Sequence, residues 1–126
     1  MPNLAGTYSC NGFDSHDGPF SGSRLILTLD EKNSDFQHGY TAYGFTGFSA
    51  EGDVVYNGAI VANGNTFAMN FKNITPEGES DHGVALGTIT HDRDDKGISQ
   101  TVLHNFYYQP EYKGSGHGVA TCIKES

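Results

Sequence analysis

The side chains best suited to hold a ligand are concentrated in the last third of the sequence. Residues 104–117 include His104, Asn105, Tyr107, Tyr108, Glu111, Tyr112 and His117. Each tyrosine offers an apolar ring for stacking and a hydroxyl for hydrogen bonding, and Glu111 or His117 would make pH-sensitive polar contacts. We therefore predict a ligand-binding site that contains Tyr107, Tyr108, Glu111, Tyr112 and His117 at one end of the fold, with Tyr8 and Asn105 in its interior.

Four histidines in the second half of the sequence could form a metal or acid–base site together with two carboxylates. The residues are His82, His91, His104 and His117, with Asp81 and Glu111. No pair has the short, fixed spacing of a helical zinc site, and several strand ends would have to converge. A barrel enzyme with His104 or His91 as general base is an alternative. Solvated or singly hydrogen-bonded histidines are the ordinary interpretation, and we expect neither a metal nor a cofactor.

Other catalytic or ion-binding motifs are missing or incomplete. The acidic run Asp92–Asp95 resembles the start of a calcium loop, but the twelfth position is Leu103 instead of glutamate, which removes the bidentate ligand. We predict a hairpin turn there. The sequence contains no Gly-x-Ser-x-Gly elbow, and its glycines fall between predicted strands, where they cannot form a phosphate loop before a helix.

Short runs of apolar, aromatic and β-branched residues predict that many of these side chains lie on β-strands. They predict about eight strands, at residues 4–12, 23–30, 39–49, 54–61, 66–72, 83–90, 101–108 and 119–124. Strand side chains alternate between two faces, so Tyr8, Cys10 and Asp14 share one face. Residues 31–38 read as a loop or at most one helical turn, and residues 75–80 read as a loop. Asn63-Gly64 is typical of a two-residue hairpin turn.

Eight short strands with no crossover helix predict an all-β fold. We expect one domain, residues 1–126, folded as a single antiparallel eight-stranded up-and-down barrel. The first and last strands of a closed sheet are neighbours, so a Cys10–Cys122 disulfide would close this barrel. A β-sandwich is the alternative fold.

Charge and cysteine content restrict the partners and the compartment. The net charge of −8 and the pI near 4.9 argue against nucleic acid as a partner, and no apolar run is long enough to insert into a membrane. A disulfide implies an oxidising compartment, so we expect a secreted or periplasmic protein. Residues 1–4 have no signal-peptide character, so an exported form would be the mature chain. Two free thiols in a cytosolic protein are the alternative.

The segment Leu4-Ala-Gly-Thr-Tyr8 resembles the start of the first strand in avidin-like barrels. The eight-strand meander is similar to that family and to calycins in general, which include the lipocalins. This resemblance implies a barrel that holds a small ligand at its open end. Avidin-like pockets depend on tryptophan, and this sequence has none, so biotin binding is not implied.

These patterns together predict a non-enzymatic secreted or periplasmic barrel. Inward tyrosine and asparagine side chains would leave a polar-lined cavity for a small polar or aromatic ligand. Alternatively, the tyrosines pack outside the barrel or fill it. In that case the aromatic segment Phe106–Tyr112 would bind a protein partner, as an inhibitor or effector does.

Overall fold

The chain folds into a closed barrel of eight antiparallel strands. The computed structural model describes residues 3–75 and 81–125. The strands are β1 Gly6–Asp14, β2 Gly18–Leu29, β3 Tyr40–Phe48, β4 Val54–Asn63, β5 Thr66–Asn73, β6 His82–Arg93, β7 Ser99–Gln109 and β8 Gly116–Lys124. Each strand pairs with the next one in sequence, and β8 pairs with β1. The predicted meander barrel is therefore confirmed, and the alternative sandwich does not form.

A disulfide fastens the seam between the first and last strands. Cys10 of β1 lies directly opposite Cys122 of β8, and the two are bonded across a sequence separation of 112 residues. The predicted pairing is confirmed. Because the bond joins the strands whose pairing closes the barrel, it stabilises the closure itself.

Among the described residues, the helical segments are short 3-10 turns at Glu31–Asn33, Phe36–His38 and Tyr112–Gly114. The first two occupy the predicted loop at 31–38. No helix among residues 3–75 and 81–125 has the length and apolar character needed to cross a membrane. The predicted loop at 75–80 lies outside the described residues except for Thr75.

The turn between β4 and β5 lies one residue later than predicted. Asn63 pairs with Thr66, so the two central residues are Gly64 and Asn65. Only Gly64 has a positive φ, of 59°, as in a hairpin turn that needs glycine at its first central position. The sequence signal Asn63-Gly64 therefore identified the hairpin but not its register.

Apolar side chains fill one end of the barrel. Tyr8 and Tyr43 are almost completely buried there, beneath Leu4 in the segment before β1. The Tyr8 hydroxyl donates to the Leu4 carbonyl oxygen at 2.7 Å, and the Leu4 N–H donates to the Tyr43 hydroxyl oxygen at 3.0 Å. The surrounding core is formed by Leu27, Ile60, Phe67, Ile89 and Leu103.

Aromatic rings cover glycines on neighbouring strands at five positions in the ladder. In each case the ring belongs to the residue directly opposite the glycine. A methyl group at the glycine would fall on that ring. The pairs are Phe20 with Gly12, Phe45 with Gly58, Phe71 with Gly83, Phe67 with Gly87, and Tyr107 with Gly118. Glycine is required here because the ring occupies the space of the missing side chain.

Candidate ligand-binding site at the open end of the barrel

The other end of the barrel contains a cavity of about 380 Å³. It opens between the β1–β2, β3–β4 and β7–β8 connections, to which Asp17, Ser49 and Tyr112 belong. Most of the wall is apolar and is formed by Phe20, Leu25, Phe45, Phe48, Val55, Met69, Phe71, Ala120 and the Cys10–Cys122 disulfide. The disulfide also belongs to the core cluster around Tyr8. The cavity is thus continuous with the core at its inner end.

The ring of Phe71 holds one wall of the cavity in place. It makes edge-to-face contacts with Tyr56, Tyr107 and Phe45, at centroid distances of 5.4, 6.3 and 6.4 Å. Aromatic pairs of this kind each contribute about 0.5–1.5 kcal/mol beyond the area they bury. The wall is therefore preformed by side-chain packing.

A buried carboxylate lies at the mouth of the cavity. Asp14 is only 5% exposed, and its Oδ2 accepts a hydrogen bond from the Tyr107 hydroxyl at 2.6 Å. Its Oδ1 accepts from the backbone N–H groups of His16 and Asp17 at 2.8 and 3.1 Å. Burial alone would raise the pKa of Asp14, but these bonds and the nearby His16 lower it below the ordinary value. The group is therefore a carboxylate at neutral pH.

The Tyr107 hydroxyl is fixed as a hydrogen-bond donor. Burial and the bond to Asp14 both raise its pKa, and Asp14 as a carboxylate can only accept. The single hydroxyl hydrogen of Tyr107 is therefore used within the protein. Its oxygen lone pairs remain available to a ligand.

A second tyrosine–carboxylate pair completes the rim. The Tyr112 hydroxyl donates to Asp17 Oδ2 at 2.8 Å, and Lys113 Nζ lies 3.3 Å from Asp17 Oδ1. Burial and Asp17 raise the pKa of Tyr112 to about 12. His16 Nε2 donates to the Ser115 carbonyl oxygen at 2.7 Å. These bonds connect the β1–β2 loop to the β7–β8 connection across the cavity mouth.

A third polar group lies beside the rim. Gln109, which is 3% exposed, donates through Nε2 to Asp81 Oδ1 at 3.1 Å and to the Tyr56 hydroxyl oxygen at 3.3 Å. Burial raises the pKa of Tyr56 to about 12, with a further contribution from Asp81. Tyr56 and Gln109 face the cavity, whereas Asp81 lies behind them. The hydrogens of the Gln109 amide are thus committed to neighbouring oxygens.

Three of the predicted site residues line the cavity, namely Asn105, Tyr107 and Tyr112. The Asn105 side chain points inward below Tyr107 and makes no hydrogen bond with any of the described residues. Tyr8 also points inward but lies in the core at the filled end, where its hydroxyl bonds to Leu4. It does not line the cavity.

The other predicted residues lie outside the cavity. Tyr108 and His117 are opposite each other on β7 and β8, and both are exposed on the outer surface. Glu111 is exposed and pairs with His82 Nδ1 at 2.7 Å. Strand alternation accounts for Tyr108, because Tyr107 beside it points inward.

The histidines suggested for catalysis are also on the outer surface. His91 Nδ1 lies 3.2 Å from the Thr101 hydroxyl, and His104 Nδ1 lies 3.4 Å from the Thr121 hydroxyl. Within residues 3–75 and 81–125, no group of three or more histidine, cysteine, aspartate or glutamate side chains could hold a metal ion.

Several residues of the site were not singled out from the sequence as site residues. Gln109 follows Asn105 and Tyr107 at the same two-residue spacing, and that period would have identified it. Asp14 was predicted only to share a strand face with Tyr8 and Cys10, and its contact with Tyr107 joins positions 93 residues apart. The wall is also more apolar than predicted, because the tyrosine hydroxyls lie at the rim and phenylalanine rings lie below them.

Comparison with known proteins identifies no relative of this chain. No family model matches the sequence, and no curated protein and no solved structure matches it. The closed eight-stranded antiparallel barrel is consistent with the architecture implied by the resemblance to avidin-like barrels and calycins. A fold alone does not specify a function, so the function is inferred from the cavity.

Proposed function

We propose that this protein is a non-enzymatic, secreted or periplasmic barrel that binds a small organic amine in the open-end cavity. The ligand has an aromatic or apolar body and a positively charged, hydrogen-bond-donating end. The observation that carries this proposal is the composition of the cavity, which has an aromatic wall beneath a rim of tyrosine–carboxylate pairs.

The size and wall of the cavity suit a small, largely apolar body. Small-molecule sites commonly have volumes of about 300–1,000 Å³ and mainly apolar walls, and this cavity measures about 380 Å³. At about 30 Å³ per water-sized group, it accommodates roughly a dozen non-hydrogen atoms. One aromatic ring with a short side chain has this size.

The rim favours a ligand group that donates hydrogen bonds. Tyr107 and Tyr112 give their hydroxyl hydrogens to Asp14 and Asp17, and Gln109 gives its amide hydrogens to Asp81 and Tyr56. What these rim side chains offer a ligand is therefore oxygen lone pairs and the carboxylate charge of Asp14, since Asp17 also pairs with the Lys113 ammonium. An ammonium group supplies three donors and no acceptor.

The charges around the cavity also favour a positively charged ligand. Arg24 contributes to the wall, but its Nε is 3.1 Å from Glu125 Oε1, and the Lys113 ammonium pairs with Asp17. The chain as a whole carries a net charge of −8, which attracts cations toward the site. Deeper in the cavity, the Asn105 amide can donate and accept hydrogen bonds, so it could bind a second polar group on the ligand.

Calorimetric titration of three probes at pH 7 tests this proposal. The probes 2-phenylethylamine, 2-phenylethanol and phenylacetate carry the same ring with a cationic, neutral and anionic end. We expect the amine to bind at least about tenfold more tightly than phenylacetate, a difference of about 1.4 kcal/mol, with the alcohol between them. Equal affinity for the amine and the alcohol would overturn the amine preference, and no binding by any probe would overturn the cavity as a binding site.

A matched pair of substitutions locates the binding. Ala120→Leu adds bulk to the cavity wall, whereas Ala59→Leu adds the same bulk at an exposed position on the outside of β4. We expect the first variant to lose affinity for the amine and the second to retain it. Equal affinities in the two variants would place the bound amine outside the cavity.

The compartment rests on the disulfide. A buried Cys10–Cys122 bond that joins the first and last strands supports folding in an oxidising environment. This is the basis for proposing a secreted or periplasmic location.

Protein binding is a second candidate role, supported by part of the segment Phe106–Tyr112. Phe106 and Tyr108 are 60% and 49% exposed on the outer surface, while Tyr107 and Tyr112 face the cavity. The two roles are compatible because they use opposite sides of the barrel wall.

A further inference from the structure

A row of exposed apolar side chains crosses four neighbouring strands on the outside of the barrel. Leu86 pairs with Phe106, Phe106 with Val119, and Val119 with Phe13. Their exposed fractions are 56, 60, 53 and 54%. Directly opposed side chains on one face of a sheet are in contact range, so the row is continuous from β6 to β1.

A second pair widens this row toward the open end of the barrel. Val84 lies opposite Tyr108, and these side chains are 54% and 49% exposed. We call the six residues the outer apolar face: Phe13, Val84, Leu86, Phe106, Tyr108 and Val119. Exposed apolar areas of several hundred Å² on a protein commonly mark an interaction site.

The outer apolar face and the adjoining ladder positions carry no aspartate, glutamate, lysine or arginine. On the side toward the filled end, the next positions across the same strands are Thr88, His104, Thr121 and Asn11. Beside Tyr108 the next position is His117. The chain nevertheless has 15 acidic and 7 basic residues. Its acidic side chains therefore lie outside these positions, and Glu111 borders the face at the open end, where its carboxylate is 2.7 Å from His82 Nδ1.

This charge distribution suits a second copy of the same chain. Two molecules with a net charge of −8 each repel one another over most of their surfaces. Contact through a face without carboxylates places no like charges directly opposite each other. Interface cores are depleted in charged residues and enriched in aromatic ones, and the outer apolar face has three aromatic residues among six.

The exposed area is also close to what a stable dimer requires. A fully buried aromatic side chain covers about 150–250 Å², so three half-exposed rings offer on the order of 300 Å². Three half-exposed aliphatic side chains add on the order of 50 Å² each, for a total of roughly 450 Å². A standard interface buries about 800 Å² on each partner, slightly more than half of it apolar. The outer apolar face thus supplies the apolar part of one standard interface.

We propose that the outer apolar face binds the same face of a second copy and forms a twofold-symmetric dimer. A twofold contact uses the same patch on both molecules and closes on itself, so association stops at two chains. The cavity mouth lies at the barrel end and stays open in this arrangement. The proposal is independent of what the cavity binds.

Sedimentation velocity between about 1 and about 100 µM chain tests the dimer, because interfaces of standard size have dissociation constants in the micromolar range or below. We expect wild-type protein to sediment with twice the mass of the chain at the upper concentration. A monomer throughout this range overturns the proposal. Species larger than a dimer overturn the closed twofold contact.

Two variants show whether this face makes the contact. The double substitution Phe106→Glu with Val119→Glu places two carboxylates at the centre of the face. Ile98→Glu changes a side chain that is 59% exposed in the β6–β7 connection. We expect dimer affinity to fall at least about tenfold in the first variant only. Far-UV circular dichroism and urea denaturation check that both variants are folded, and loss of the dimer in a folded Ile98→Glu variant would contradict the assignment.

Discussion

Asp14 carries a negative charge in a position that is almost completely buried. The partners of this carboxylate are the Tyr107 hydroxyl and two backbone N–H groups. Buried charges are tolerated when hydrogen bonds replace the lost water. The charge is thereby preserved at the cavity mouth, where an ammonium group would interact with it.

Asp14→Asn tests this role at the scale of one residue. The substitution removes the charge and replaces one of the two acceptor oxygens by an NH2 group. The remaining amide oxygen cannot accept from both the Tyr107 hydroxyl and the two N–H groups, so we expect a loss of about 1–3 kcal/mol in the free energy of unfolding at pH 7. Amine affinity should also fall. Asp17→Asn is the matched control for stability, because its exposed carboxylate contributes less than about 1 kcal/mol to the free energy of unfolding. Urea denaturation and calorimetry measure both effects, and equal losses of stability in the two variants would contradict the prediction.

The stability difference at Asp14 should depend on pH. The folded protein lowers the pKa of Asp14 below 3.8, so the unfolded chain binds the proton more readily. The stabilisation is therefore fully present above the unfolded pKa and is lost as pH falls through the folded pKa. We expect the gap between wild type and Asp14→Asn to shrink below about pH 4; a gap that stays constant there would exclude this linkage.

Alternation along single strands was readable from the sequence, but the inward face was not always assigned. Tyr8, Cys10 and Asp14 were expected to share a face, and each of them is at most 5% exposed. On β7 the sequence Phe106-Tyr-Tyr108 is aromatic throughout. Composition therefore does not show whether Tyr107 or its two neighbours point into the barrel. Closure of the barrel decided that Tyr107 does.

Glycine–aromatic pairs give a prediction at the scale of the strand. Gly87→Ala would place a methyl group on the Phe67 ring and the His104 carbonyl oxygen, so we expect a loss of about 1–3 kcal/mol from overpacking. Gly44→Ala is the control, because nothing lies within 4 Å of its added methyl group. That variant should be neutral or slightly stabilised. Urea denaturation compares the two, and equal stability would show that Phe67 moves aside without cost.

At the scale of the whole molecule, the disulfide fixes the seam that converts the meander into a barrel. We expect Cys10→Ser with Cys122→Ser to lower the free energy of unfolding by about 2–5 kcal/mol. Reduction of the wild-type protein should have a similar effect, while reductant should leave the double variant unchanged. Thermal denaturation with and without reductant measures this. A stability that does not respond to reductant would show that strand pairing alone holds the closure.

The sequence by itself determined the strand number, their antiparallel order and the Cys10–Cys122 pairing. These follow from local patterns and short connections, and from the rule that the end strands of a closed sheet are neighbours. The binding site depended on the tertiary structure. Asp14 and Tyr107 are 93 residues apart in sequence and meet because the β1–β8 seam closes. Likewise, the cavity exists because small residues and the disulfide leave space above the Tyr8 core, and packing in three dimensions decides whether such space is filled.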